Sequence, residues 1–102
     1  MGRGPLEKLT KYCKNNTTDL INLAEYVILQ KDLNSALDLA NEAIKIDPNL
    51  ESGYFLRSYI YQQKGFLYKS IEDYKKLERI TKNSDLKLMC ELMTLNLEQQ
   101  LN

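Results

Sequence analysis

Leu33-Asn34-Ser35-Ala36-Leu37-Asp38-Leu39-Ala40-Asn41-Glu42-Ala43-Ile44-Lys45-Ile46-Asp47-Pro48 carries apolar residues at 33, 36, 37, 40, 43 and 44. Steps of three and four residues place them on one face of an α-helix, and Pro48 disfavours helix at the residue before it. Upstream, Leu20, Leu23, Ala24 and Val27 keep the same period and stop before Asp32. Residues 17–50 therefore predict a helix, a short turn and a second helix.

The same unit returns 34 residues later, over residues 51–84. Only Leu33/Leu67, Ile46/Ile80 and Asn49/Asn83 are identical across that offset. Residue classes carry the rest: Ala24/Ser58, Ala36/Ser70, Leu37/Ile71, Asp38/Glu72 and Lys45/Arg79. Tyr54, Ser58 and Tyr61 form the first apolar stripe of the second unit. After Lys64-Gly65 come Leu67, Ser70, Ile71, Tyr74 and Leu77. Gly65 suits the left-handed backbone that ends a helix, whereas Lys31 at the equivalent place must adopt it at a cost.

Small residues at Ala24, Ala36 and Ala43, answered by Ser58 and Ser70, allow two helices joined by so short a turn to cross closely. With Pro48 closing the unit, this arrangement resembles the tetratricopeptide repeat over residues 17–84. The second unit departs from the family pattern, with Leu77 at its second alanine and Lys82 at its closing proline. The resemblance implies an all-α fold: a right-handed superhelix of antiparallel helical hairpins.

Two segments flank the repeats in what reads as a single domain over residues 1–102. Residues 5–14 put Leu6, Leu9, Tyr12 and Cys13 on one face after Pro5, which predicts a short N-terminal helix. Residues 85–101, entered through Asn83-Ser84-Asp85, predict a C-terminal capping helix. That helix carries two apolar stripes, Leu86, Met89, Cys90, Met93 and Leu97 on one side and Leu88, Leu92 and Leu95 on another. Only one of them can pack on the second unit.

Composition limits the chemistry. The chain has 102 residues, 14 basic and 14 acidic, so no net field draws in nucleic acid or an anionic membrane. Locally the charge is uneven: residues 19–53 hold two basic and seven acidic side chains, residues 54–82 seven basic and three acidic. No membrane-spanning run or secretory signal is present, which makes a cytoplasmic location the expectation. Histidine is absent, no phosphate loop occurs, and Cys13 and Cys90 lie too far apart in sequence for a zinc motif, so no enzyme, metal or cofactor is expected. Tyr59, Tyr68 and Tyr74 interleave with Lys69, Lys75, Lys76, Arg79 and Lys82 as a single-strand binder would arrange them. The neutral net charge favours a core tyrosine beside a solvated basic stripe.

In the tetratricopeptide family the first helices of successive units line a concave groove that binds peptides. Carried onto this sequence, the resemblance implies a partner-binding groove of Ile21, Glu25, Phe55, Leu56, Tyr59, Met89, Met93 and Leu97. The places that clamp a carboxylate in the best-known members hold Ile21, Glu25, Leu56, Leu86 and Cys90, so acidic tails of heat-shock chaperones are not expected ligands. The seven apolar groove residues, if left in water, would forgo about 10–20 kcal/mol of burial. The expected function is a scaffold or adaptor that binds an apolar or amphipathic peptide or helix of another protein. The alternative is self-association, as a homo-oligomer or as part of a longer repeat array.

Overall fold

The computed structural model describes residues 16–102, so the helix expected over residues 5–14 lies outside the described residues. Within them the chain forms α1 (Thr17–Leu29), α2 (Leu33–Ile46), α3 (Glu51–Gln63), α4 (Leu67–Ile80) and α5 (Ser84–Leu101), with no strand. The all-helical expectation holds. None of these helices is long and apolar enough to cross a membrane.

Side-chain caps set three of the helix starts. Asn16 accepts from the Asp19 N–H, Asp32 from Ser35, and Asn83 from both Asp85 and Leu86. Helices α3 and α4 are preceded by Leu50 and Phe66, which make no such bond, so their starts depend on packing.

The turns from α1 to α2 and from α3 to α4 close in the same way. Asp32 N–H donates to the Val27 carbonyl at 2.9 Å, and Phe66 N–H to the Tyr61 carbonyl at 2.8 Å. These are the six-residue closures of a Schellman motif, and they require a left-handed residue. Gly65 supplies it at φ 82°, while Lys31 adopts φ 62° against the preference of a side-chain-bearing residue. Asp47-Pro48-Asn49 forms the next connection, where the Asp47 carboxylate accepts the Asn49 N–H and the Tyr54 hydroxyl donates to the Pro48 carbonyl.

Each helix packs on its successor, and α1 also touches α3. Two cores result. The first holds Leu20, Ile21, Ala24, Val27, Ala36, Leu39, Ala40 and Ala43, joined by Ile60 from α3. The second holds Tyr54, Ile71, Tyr74, Leu77, Cys90 and Leu97. Helix α3 serves both, with Ile60 turned to one and Tyr54 to the other. Its start is tight against α2: a Cβ on Gly53 would stand 2.8 Å from Ile44 Cγ1.

The two stripes of α5 divide cleanly. Cys90 and Leu97 are fully buried against α4, with Leu86, Met89, Met93 and Leu101 packed around them. Leu88, Leu92 and Leu95 face outward. The stripe expected to line the groove is therefore the inward one, packed against α4. Unbranched methionines at 89 and 93 fill the irregular surface left by the α4 side chains.

Candidate functional site

Phe55 and Tyr59 stand one turn apart on α3, so both project toward α1. They are 46% and 42% exposed. With Ser52 and Leu56 from α3 and Glu25 and Ile28 from α1, they line an open groove of about 340 Å³. Leu56 and Ile28 form its floor, each half-buried against the first core. Glu25 is exposed at its edge and contributes the single charge among the lining residues.

The structure thus brings Glu25, Phe55, Leu56 and Tyr59 together, with Ile28 and Ser52 beside them. It separates off the other four residues of the expected site. Ile21 is buried in the first core, because it shares the inward face of α1 with Leu20 and Ala24. Leu97 is fully buried in the second core, and Met89 and Met93 pack against that core rather than lining the groove. Consequently, of the seven apolar residues expected in the groove, only Phe55 and Tyr59 are left substantially in water. The burial forgone shrinks to about 1–3 kcal/mol at roughly half exposure each.

A second cluster, outside the residues expected from sequence, lies on the hairpin of α3 and α4. Arg57 donates two hydrogen bonds to Asp73, Nε to Oδ2 and Nη2 to Oδ1, both at 2.8 Å, and a third to Asn41 at 2.9 Å. Its guanidinium lies 5.6 Å from the ring centre of Tyr54 and 5.7 Å from that of Tyr61. Lys69 stands over Tyr61 and Phe66, Lys64 over Phe66, and Lys76 over Tyr54. Asp73 is buried, and burial raises its carboxyl above the ordinary value even though Arg57 pulls the other way. Hydrogen bonding to Asp73 in turn raises the guanidinium pKa. The pair fastens α4 to α3.

The signal for Asp73 was present in the repeat. The 34-residue offset aligns Arg57 with Leu23 and Asp73 with Leu39, and Leu39 is a core position in the first hairpin. Of the three tyrosines considered for nucleic acid, Tyr74 is buried, Tyr59 belongs to the groove and Tyr68 is exposed. They do not share one surface. Among the described residues no group of three or more His, Cys, Asp or Glu is placed to hold a metal. Cys90 is a free, buried thiol. No protein-family model matches the chain, and no curated protein sequence matches it.

Proposed function

We propose that this chain is a tetratricopeptide-like solenoid, a right-handed superhelix of antiparallel hairpins, acting as an adaptor that receives an apolar or amphipathic segment of another protein. Phe55 and Tyr59 carry the reading. They are adjacent, half-exposed aromatic side chains over an apolar floor, the composition that dominates binding hot spots. The 34-residue period, the matching turn closures and the helix-on-next-helix packing support the solenoid. A cytoplasmic location fits an adaptor with a buried free thiol.

The groove between α1 and α3 suits one turn of an amphipathic helix or two residues of an extended peptide, with Phe55 and Tyr59 gripping a large aliphatic side chain. Glu25 selects a basic group on the ligand. The absence of a cation among the lining residues argues against a carboxylate tail as ligand. A protein ligand is favoured over nucleic acid because Arg57, Lys64, Lys69 and Lys76 already lie over the chain's own rings.

Selection from a displayed random-peptide library on the immobilised protein tests the reading. Enriched sequences should pair an aliphatic anchor with a basic residue. Phe55→Ala with Tyr59→Ala should weaken their binding by about tenfold or more, and Glu25→Gln should remove the basic preference. Equal binding to the double variant would overturn the assignment.

A further inference from the structure

The groove accounts for one apolar surface and leaves another. On α5, Leu88, Leu92 and Leu95 are each more than half exposed. Advancing about 100° per residue, they lie on the side of the helix opposite Cys90 and Leu97. The repeat offset shows what stands on that face elsewhere. Leu88, Leu92 and Leu95 occupy the register of Leu20, Ala24 and Val27 on α1, and of Tyr54, Ser58 and Tyr61 on α3. Helix α2 packs on α1 and helix α4 on α3. Among the described residues, nothing covers the corresponding face of α5.

We infer that this face pairs with the same face of a second copy, the two α5 helices running antiparallel about a twofold axis at Leu92. Three features select that occupant. The stripe is a chemical palindrome: with Leu92 opposite Leu92 of the partner subunit, Leu88 meets Leu95 of the partner subunit and Lys87 meets Glu98 of the partner subunit. Lys87 and Glu98 lie on the same edge of the stripe, so one pairing register satisfies both twofold-related ion pairs. Next, Leu92 fills the place that Ala24 and Ser58 keep small. It would hold a second helix farther off than the close crossing within a hairpin, the spacing of a leucine seam between equal helices. Finally, the chain's zero net charge imposes no long-range repulsion between copies.

Lys87 and Glu98 have capacity for this. Lys87 directs one donor to the Glu78 carbonyl at 3.2 Å and has two more. Glu98 has a loose, exposed contact with Lys75 at 3.8 Å. Glu91 sits between them on the same edge and meets Glu91 of the partner subunit near the axis, which weakens the pairing. Three leucines per copy also fall well short of the roughly 1,200 Å² that stable interfaces bury, so the dimer is transient, with a Kd on the order of 0.1 mM. The pairing is independent of the groove reading.

Sedimentation equilibrium of the full chain from about 10 µM to 1 mM tests it. The average mass should rise from 11.9 kDa toward twice that value. Leu92→Glu should abolish the rise while leaving helicity and Tm unchanged, since the side chain is exposed. If that variant loses helicity, Leu95→Ser replaces it with the same expectation. Lys87→Glu and Glu98→Lys should each weaken the dimer, the pair combined should restore it, and Glu91→Gln should tighten it severalfold. A monomer at 1 mM, a dimer unaffected by Leu92→Glu, or a dimer lost with Phe55→Ala and Tyr59→Ala would each overturn the proposal. Failure of the charge exchange to restore association would overturn the antiparallel register.

Discussion

The two hairpins share a backbone plan and fill it with different chemistry. Between α1 and α2 the interior is mostly hydrocarbon, with Ala24, Ala36, Ala40 and Ala43 allowing close approach, larger aliphatic side chains filling the rest, and Ser35 the one buried polar side chain of α2. Between α3 and α4 most of the equivalent places are polar, Leu77 at the place of Ala43 being the exception. Ser70 Oγ donates to the Ser58 carbonyl at 2.8 Å, Ser58 Oγ donates to the Phe55 carbonyl, Tyr74 replaces Ala40, and Arg57 with Asp73 replaces Leu23 with Leu39. One interior is held by the exclusion of water and the other by pairing every polar group it buries. What the fold demands at a crossing is therefore small volume and satisfied hydrogen bonding, and serine meets that demand when a carbonyl accepts from it, on the facing helix for Ser70 and on its own helix for Ser58.

Removing one member of the ion pair should separate the hairpins most sharply. Arg57→Leu leaves the Asp73 carboxylate buried without its cation and should cost about 3–5 kcal/mol in urea unfolding at pH 7. The double variant Arg57→Leu with Asp73→Leu copies the first hairpin and should return to within about 1 kcal/mol of the parent, or exceed it. The loss in the single variant should narrow as the pH falls. Asp73 has a folded pKa above its ordinary value, so its contribution to stability is fully present below the ordinary carboxyl pKa and is lost as pH rises through the folded one. Deleting Arg57 removes both influences that lower it, moving that loss to higher pH. Unfolding titrations between about pH 7 and pH 4 read the effect.

Overfilling a crossing should come next. Ala24→Leu forces apart helices that now meet with no space at that residue, at about 1–3 kcal/mol measured by urea or thermal unfolding.

Smaller still are exchanges between the two interiors. Ser70→Ala should cost about 1 kcal/mol through loss of the bond to the Ser58 carbonyl. If the hairpins are as alike as their turns, Ala36→Ser should find the Ala24 carbonyl in the same place and change the unfolding free energy in urea by less than about 0.5 kcal/mol. A large loss in that variant would show that the first crossing is the tighter one.

The turns give a comparably small difference. Lys31→Gly should raise stability by about 0.5 kcal/mol in thermal unfolding, because relief of the left-handed strain exceeds the added freedom of the unfolded chain.

The parts of this molecule legible in the sequence were those written locally. Apolar spacing and Pro48 mark the helices, small residues mark the crossings, and the offset from Gly65 places Lys31 in the left-handed region. Half of the groove was legible too, since Glu25, Phe55, Leu56 and Tyr59 do converge. The rest depended on choices that spacing alone does not make. Helix α5 is apolar on opposite sides, so periodicity allowed either to pack, and the burial of Met89, Met93 and Leu97 followed only once α4 supplied a surface. Ile21 lies next to Leu20 in sequence and in the core, at the boundary between the inward face and the groove. Asp73 carries no local signal because its partner is sixteen residues away, and only its alignment with Leu39 marks it as interior.

The buried thiol of Cys90 ties this anatomy to time. It has no exposed surface, and burial raises its pKa, so the reactive thiolate is scarce while α5 remains docked. A thiol reagent can reach it only when α5 lifts from α4. In a chain whose Cys13 is replaced by serine, the alkylation rate therefore becomes a clock for the undocking of a single helix, and its ratio to the rate in urea measures how rarely that end of the stack opens.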